Sequence, residues 1–447
     1  MINTREEWGT RLGFMLAAAG SAIGLGNIWR FPFVAGEGGG AAFVLIYLGF
    51  VLLIGLPLMI GEIAIGRKGR ANAMDSYRAI RPEQPWHVTG LLGIVSNFMI
   101  LCFYSVVAGW TLYYFILAAT GRLLTSTKSN YGEAFGSFIS HPFAPVIWQS
   151  LLMIIVSLIV AKGVKQGIER WNNILMPVLF VLLLVLAVRS LTLSGGGEGL
   201  AFFLRPDFSS VTSTVVLAAL GQAFFSLSLA TGLYVTYGSY CRTNTHIPAN
   251  AGGIVFLDVL VAVIAGLIIF PAVFHFGIDP GRGPDLVFVT FPAIFSNMPL
   301  GGLFAALFFF CVFLAALTSA ISLLEVVVAY VHERWALRRV TATWLAGLVV
   351  LLVGLPCALS FGPWADATLL DRTVFDWFDF LAASVLLPFA GLLLALFLGW
   401  GWKPEQVKAE VEQEGVRFQV FPLWRMLIRY VIPVALVIIF LQSIGLI

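Results

Sequence analysis

Two stretches of the sequence place glycines and small polar residues inside segments that are otherwise apolar enough to cross a membrane. They are residues 20–27 (GSAIGLGN) and residues 226–232 (SLSLATG). In hydrocarbon each unpaired backbone N–H or C=O costs roughly several kcal/mol, so an interrupted helix needs a ligand that replaces its lost hydrogen bonds. Carbonyl oxygens freed in this way suit hard cations, and N–H groups at a helix start suit anions. The two breaks therefore predict a binding site for a charged ligand.

The composition restricts the chain to the class of polytopic membrane proteins. Of its 447 residues 60% are hydrophobic and 11% charged, and the mean hydropathy of +0.95 is too high for a soluble domain. The four cysteines lie singly, without the spacing of a zinc or disulfide framework. A window of about 19 residues predicts an all-α protein of 11 transmembrane helices, with apolar stretches centred near residues 23, 52, 105, 153, 180, 228, 263, 316, 350, 388 and 434.

The distribution of Lys and Arg predicts the orientation in the bilayer. Eleven spans place the two termini on opposite sides, and alternate loops collect most of the basic residues on one face, including Arg67, Lys68 and Arg70. Loops rich in Lys and Arg stay in the cytoplasm, so we expect a cytoplasmic N-terminus in the inner (plasma) membrane of the cell. The formal net charge of +3 needs no nucleic-acid partner; the lipid bilayer is the expected surrounding.

The two broken segments lie five spans apart, which predicts an internal repeat. An odd number of spans per copy inverts the second copy relative to the first, and the breaks of inverted repeats meet near the middle of the membrane. We expect a 5+5 inverted repeat with broken helices 1 and 6. Residues 1–190 form the first repeat (spans 1 to 5), residues 191–402 the second (spans 6 to 10), and residues 403–447 a cytoplasmic linker and span 11.

An ordered series of motifs resembles the neurotransmitter:sodium symporter family over roughly residues 5 to 400. The motifs are WGTRLGF at residues 8–14, GLGNIWRFP at 24–32, GGGAAF at 38–43, GQAFFSLSL at 221–229 and LTS at 317–319. The resemblance implies a sodium-coupled symporter of amino acids that works by alternating access. An amino-acid sensor or channel of the same fold, without coupled turnover, remains an alternative.

In that family the substrate lies between the two breaks, and the resemblance implies a set of binding residues. They are Ala22, Leu25, Gly26, Ile100, Tyr104, Phe225, Ser226, Ser228, Thr231, Ser319 and Leu323. The N–H groups of Leu25 and Gly26 open the outer half of helix 1 and suit a carboxylate. Tyr104 adds a hydroxyl to that carboxylate, although without the resemblance the favoured interpretation of this residue is an ordinary membrane aromatic.

The resemblance also implies two sodium ions. The first site uses Ala22, Asn27, Ser226 and Asp258 together with the substrate carboxylate, and the second uses Gly20, Ile23, Ala315, Thr318 and Ser319. Carbonyl and hydroxyl oxygens suit this hard cation. The alternative for Thr318 and Ser319 is that their hydroxyls bond carbonyls of the preceding helical turn.

Asp258 lies in the apolar run LDVLVA and predicts transport without chloride. Chloride-dependent relatives have Asn at this place and bind chloride with Tyr47, Gln222, Ser226 and a serine at position 262, which is Ala262 here. A fixed carboxylate then does what chloride does elsewhere. The alternative is a protonated Asp258 hydrogen-bonded inside the bundle, which allows proton antiport.

Two small residues indicate the substrate class. Monoamine-carrying relatives place Asp at position 24, whereas Gly24 leaves that space for a carboxylate. The side chains expected around the substrate carry no charge, which favours a neutral, hydrophobic amino acid. Thr231 stands where the bacterial leucine transporter has a bulky aromatic residue, so the cavity is expected to admit large aliphatic or aromatic side chains.

Charged residues near both mouths are implied as gates. Arg30 and Asp379 form the outer pair with Phe225 as a lid, and Arg5 and Glu333 form the inner pair, supported by Trp8 and Tyr240. Gly167 and Pro177 match a family motif for unwinding of span 5, although a capping glycine and an incidental proline kink explain them equally well. The five histidines lie near loops or span ends, without an H-E-x-x-H motif, so no enzyme is expected. Glu62 and Glu325 receive no role beyond internal hydrogen bonds.

Overall fold

The computed structural model describes residues 5–125, 130–193, 196–277 and 286–446, and these residues are almost entirely helical. Eight helices are long and apolar enough to cross a membrane, and there are ten spans if each of two bent pairs is counted as one. The helices that form unbroken spans or the main part of one are α2 (Ala41–Gly69), α3 (His87–Ala119), α4 (Ala144–Val160), α5 (Val164–Leu191), α7 (Ile247–His275), α8 (Gly301–Arg334), α9 (Arg339–Leu359), α10 (Val374–Gly401) and α11 (Phe421–Ser443).

Spans 1 and 6 are each divided into two shorter helices. Span 1 consists of α1a (Arg11–Ala22) and α1b (Gly26–Glu37), which meet at an angle of 52°. Span 6 consists of α6a (Ser213–Ser226) and α6b (Leu233–Gly238), separated by a non-helical stretch at residues 227–232. The ten spans counted above do not include span 6, and with it the number agrees with the expected eleven. Both breaks fall in the two segments that the sequence indicated.

The second bent pair is a different feature. The peripheral helix Tyr131–Ser140 meets α4 at 75° across His141–Phe143. Other short helices outside the spans are Ala73–Ile80, Arg122–Thr125, Gly196–Leu204, Phe208–Ser210, Leu286–Thr290, Phe291–Ser296, Pro404–Val411 and Gln413–Gly415.

The broken spans lie in the centre of the bundle. α8 is the most enclosed span, with 89% of its most apolar window buried, and it packs along α3 and against α1a and α5. α11 lies at the edge against α10, with only 28% of its window buried. The repeat boundaries at residues 190 and 402 stay a prediction.

Candidate substrate and ion site

The two breaks face each other across a pocket with a cavity volume of about 50 Å³. Its lining has no charged side chain and includes every residue that the sequence implied for substrate binding. The lining residues are Ser21, Ala22, Gly24, Leu25, Gly26, Ile100, Tyr104, Phe225, Ser226, Ser228, Thr231, Ser319, Leu323 and Leu387. Leu387 on α10 was missed, because a leucine within an apolar span gives no signal of its own.

The break in span 1 leaves backbone groups without their helical partners. α1a ends where the Ile23 N–H donates to the Ala19 carbonyl, and the Gly24 N–H donates to Asn27 Oδ1 at 3.1 Å instead of to a carbonyl. The hydroxyl of Tyr104 is buried with no hydrogen-bond partner. Backbone groups of the break and the Tyr104 hydroxyl therefore lie at the pocket, where a polar ligand can form hydrogen bonds with them.

The break in span 6 depends on left-handed backbone. Ser228 and Ala230 have φ of 50° and 61°, and Gly232 has φ of 76°. The Ala230 N–H donates to Glu62 Oε2 at 3.3 Å, and Thr231 Oγ1 donates to the Ser228 carbonyl at 2.9 Å. Glu62, to which the sequence assigned no role, thus contacts the non-helical stretch from α2.

The side chains implied for the first ion form one buried cluster. Asn27 and Asp258 are fully buried, and Asn27 Nδ2 donates to Asp258 Oδ1 at 2.7 Å. Ser226 Oγ and Tyr47 OH donate to Asp258 Oδ2 at 3.0 and 3.3 Å. Among the described residues, the hydrogen-bond partners of this carboxyl group are neutral donors, and no ion pair includes it. Ala22 and Ser226 both border the pocket.

The second set of implied ion ligands joins α1a to α8. Ser319 Oγ lies 3.3 Å from the Ile23 carbonyl oxygen, and Thr318 Oγ1 lies 3.1 Å from the Ala315 carbonyl oxygen. Thr318 thus makes the bond to a preceding turn that the sequence left open as an alternative. Ser319 Oγ instead lies within hydrogen-bond distance of the Ser21 and Ile23 carbonyl oxygens, so this hydroxyl joins α8 to the break in span 1.

On the outer side the gate residues are close but not joined by a direct ion pair. The guanidinium of Arg30 lies over the ring of Phe225, 4.4 Å from its centroid. Arg30 and Asp379 are both exposed, and among the ion pairs of the described residues none within 4.0 Å connects them. Phe225 also borders the pocket, and its role as a lid stays a prediction.

On the inner side the implied gate pair is formed. Arg5 forms an ion pair with Glu333, and its Nε donates to Ser239 Oγ at 2.9 Å. The guanidinium also lies 4.7 Å from the ring centroid of Tyr240. Asn72 adds two bonds to Glu333, from its backbone N–H at 2.8 Å and from Nδ2 at 2.9 Å. The N-terminal segment is thereby fastened to α8 and to the loop that follows α2.

A family model described as the Sodium:neurotransmitter symporter family matches residues 5–133 and 139–446. The chain belongs to this family. It is similar to YhdH, an uncharacterised sodium-dependent transporter of Bacillus subtilis, with 43% identity over 98% of each chain. A Haemophilus influenzae protein described in the same terms is 33% identical, again over 98% of each chain.

A solved structure shares the whole fold. MhsT, determined in complex with L-phenylalanine, is 47% identical and matches with a TM-score of 0.90 over 98% of this chain and 100% of its own. A more distant relative is the sodium- and chloride-dependent GABA transporter ine of Drosophila melanogaster. It is 24% identical over 92% of this chain and 48% of that protein.

A second ion pair, between Glu325 and Arg339, lies beside Tyr240, and the sequence analysis did not predict it. Glu325 Oε1 accepts from Tyr240 OH at 2.6 Å, and Glu325 Oε2 accepts from Arg339 Nη2 at 2.5 Å. Trp8 contributes Nε1–H to the Tyr237 carbonyl at 2.9 Å. Arg339 is 14 residues from Glu325 and begins the next helix, so neither charge alone indicated the pair.

The start of α5 is helical, and it is hydrogen-bonded to the N-terminal segment. Residues Val164–Glu169 form a wide π-helical turn that includes Gly167, one end of the motif for unwinding. Glu169 accepts from the backbone N–H groups of Gly9 and Thr10 at 2.7 and 3.0 Å, which satisfies donors ahead of α1a.

Outside the spans, Glu7 extends this attachment. Its carboxylate accepts from Arg70 at 2.7 Å and pairs with Arg242 at 3.3 Å. The hydrogen bond from Arg70 lowers the pKa of Glu7 below its usual range. A lowered carboxyl pKa stabilises the folded arrangement above the usual carboxyl range, and this contribution is lost as the pH falls through the lowered value.

Proposed function

We propose that the chain is a sodium-coupled symporter that takes up neutral hydrophobic L-amino acids by alternating access. The observation that carries the proposal is the lining of the pocket. Residues of both helix breaks border it, and none of its side chains is charged. A zwitterion with an apolar side chain matches both features.

The charged ends of the substrate would meet the broken helices. The N–H groups of Leu25 and Gly26 at the start of α1b, with Tyr104 OH, are suited to the carboxylate. Carbonyl oxygens near Ala22, Phe225 and Ser226 are suited to the ammonium group. No acidic side chain reaches into the lining, so an amine without a carboxylate lacks a counter-charge there.

Coupling would arise because the substrate completes an ion site. Two sodium ions are proposed, one at Asn27, Ser226, Asp258 and the Ala22 carbonyl, and one between α1a and α8 at Thr318 and Ser319. If a substrate carboxylate oxygen is a ligand of the first ion, each binds more tightly in the presence of the other, since the linkage is reciprocal.

Asp258 supports transport that is independent of chloride. Its carboxylate already receives hydrogen bonds from Tyr47, Ser226 and Asn27. Gln222 is occupied differently, because its Nε2 donates to the Gly26 carbonyl at 3.1 Å. A chloride ion at this place would lie against a like charge, which is unfavourable at low dielectric.

Large apolar side chains are the proposed preference. The solved relative MhsT was determined with L-phenylalanine, and the side-chain part of the pocket here is bordered by Ile100, Leu323 and the small residue Thr231. The proposed site of action is the plasma membrane, with the N-terminus in the cytoplasm.

Uptake into proteoliposomes tests the proposal. Radiolabelled L-phenylalanine, L-leucine and L-tryptophan should accumulate when sodium is high outside, and not when potassium replaces sodium or when a sodium ionophore is present. Replacement of chloride by gluconate should leave uptake unchanged. Saturable binding without accumulation would indicate a sensor, and unsaturable flux without sodium coupling would indicate a channel.

A further inference from the structure

A buried ion pair holds the linker to span 11 against α2. Arg67 on α2 and Glu410 on the linker helix Pro404–Val411 lie 2.9 Å apart, measured from Nε to Oε1, and only 1% and 4% of the two side chains are accessible. Arg67 Nη2 also donates to the backbone carbonyl of Glu410, and Gln413 Nε2 donates to Glu410 Oε2 at 2.7 Å. Each charge depends on the other, because a buried charge that loses its partner stays uncompensated.

The linker helix turns one face to the bundle, and Glu410 lies on that face. The helix packs against α2 and the end of α10. Its buried residues are Pro404, Val407, Glu410 and Val411. The two valines are sufficient for apolar packing, and a buried carboxylate adds little to stability by itself. The contact with Arg67 is therefore the more specific purpose of this acidic residue.

Arg67 also holds the loop between α6b and α7. Its Nη1 donates to the carbonyl oxygens of Thr243 and Thr245 at 3.2 and 2.7 Å. A single guanidinium thus joins α2, the linker helix and this loop. The planar fork of arginine makes several such bonds at once, whereas the ammonium group of lysine acts as a point charge.

The residues that end α6b are the surface on which the N-terminal segment rests. Ser239 Oγ accepts from Arg5 Nε at 2.9 Å, and the Tyr240 carbonyl accepts from the backbone N–H of Trp8 at 3.2 Å. The loop that Arg67 holds follows directly in the chain. A shift of this loop therefore moves the partners of the residues implied as the inner gate.

We propose that Arg67 and Glu410 are positioning residues of the inner gate, which they keep closed by fixing the loop after α6b to the linker of span 11. The inference rests on the proposed function, since it assigns the pair to the gate of a transport cycle. Without the carboxylate, Arg67 carries an uncompensated buried charge and leaves its place for water. Thr243 and Thr245 then lose the donor to their carbonyl groups, and the loop is released together with the end of α6b.

Glu410→Gln tests this step, because it removes the charge and keeps the size of the side chain. The measurement is hydrogen–deuterium exchange of the purified full chain in detergent. The backbone amides of Trp8, Gly9 and Thr10 are hydrogen-bonded, so their exchange reports the release of the N-terminal segment. It should become about tenfold faster in Glu410→Gln than in the parent chain.

A second variant and a matched control accompany this measurement. Arg67→Lys keeps a positive charge opposite the carboxylate but cannot hold both loop carbonyls at once, so it should also speed exchange of the N-terminal amides, even where Glu410→Gln does not fold. The control is Glu405→Gln on the same linker helix. The pair of Glu405 with Arg425 lies at the surface, with 62% of the Glu405 side chain accessible, and its removal should leave the exchange unchanged.

The outcomes separate this inference from the proposed function. If sodium drives no accumulation of L-phenylalanine by the parent chain in proteoliposomes, the proposed function fails, and the assignment of the pair to a gate fails with it. If the parent chain accumulates the amino acid and the N-terminal amides exchange equally fast in both variants and the parent, the inference alone is overturned. Faster exchange confined to the linker helix and the loop after α6b would overturn it as well, because the pair would then act only locally.

Discussion

Gly24 is the residue at which the smallest change should disturb both halves of the site. A Cβ at this position would lie 2.6 Å from Ser319 Oγ and 3.2 Å from Tyr104 OH. Ser319 is proposed as a sodium ligand and Tyr104 as a carboxylate donor. Neither can move away without leaving its proposed partner, so the absence of a side chain here is a requirement of binding and not only of helix breaking.

We expect Gly24→Ala to weaken sodium-dependent binding of L-phenylalanine about ten- to hundredfold, since overpacking by one methyl group costs about 1–3 kcal/mol. Equilibrium binding of the radiolabelled amino acid measures the effect. Gly221→Ala is the matched control, because a Cβ on Gly221 meets no heavy atom within 4 Å. Equal affinity in both variants would mean that Ser319 and Tyr104 do not serve the substrate together.

At the scale of the element, the break in span 6 is held in a conformation that its residues do not favour. Ser228 and Ala230 adopt left-handed backbone, which costs about 1–2 kcal/mol for a residue with a Cβ. Glu62 partly compensates by accepting from the Ala230 N–H. Strain retained beside a pocket is typical of segments that change conformation during function.

Ala230→Gly should therefore stabilise the protein by about 1 kcal/mol, because glycine adopts positive φ without strain. The midpoint of thermal unfolding in detergent should rise. Ala223→Gly in the regular part of α6a provides a control of opposite sign, with a loss of about 1 kcal/mol. A fall in the midpoint for Ala230→Gly would show that the left-handed backbone is not a source of strain.

The sequence predicted the elements better than their internal geometry. Glycines at 20, 24 and 26 and the polar Asn27 indicated the first break, since their helix propensity is low and they lie in an apolar span. The left-handed Ser228 and Ala230 carry no such signal. Glu62 meets Ala230 across 168 residues of chain, and Arg67 meets Glu410 across 343, so only the packed fold brings these pairs together.

For the whole molecule, the two sides of the membrane are not equivalent in this structure. At the end of the bundle that carries Arg5, the Arg5–Glu333 and Glu325–Arg339 pairs are formed. At the other end Arg30 and Asp379 are exposed, and no ion pair among the described residues connects them. Sodium entering down a tenfold gradient and 100 mV supplies about 3.7 kcal/mol per ion. This amount is comparable to the free energy needed to open and remake such pairs.

We expect Arg5→Gln to favour opening of the inner side. The pair with Glu333 is only partly exposed, with 12% and 25% of the two side chains accessible. Its loss should therefore cost about 1.4 kcal/mol, a value between those typical of exposed and of buried ion pairs. Cys241 is buried on this side, and its labelling by a maleimide should become about tenfold faster. The control Arg78→Gln removes the exposed pair with Asp75 and should leave the labelling rate unchanged. If Cys241 in Arg5→Gln were labelled no faster than in the parent chain, Arg5 would not act as a gate.

Asp258 connects the site to the charge balance of the transport cycle. Its carboxyl group is buried among Asn27, Ser226 and Tyr47, and no ion pair among the described residues includes it. The sodium ion proposed at this place would neutralise the fixed charge. Asp258→Asn keeps the shape and removes the charge. In gluconate, amino-acid uptake by this variant should fall at least about tenfold, the effect of one lost charged contact. Added chloride should restore part of the uptake. The parent chain should take up the amino acid equally in both salts. Chloride dependence of the parent chain, or loss of uptake that chloride does not relieve, would show that the carboxylate does not replace an anion.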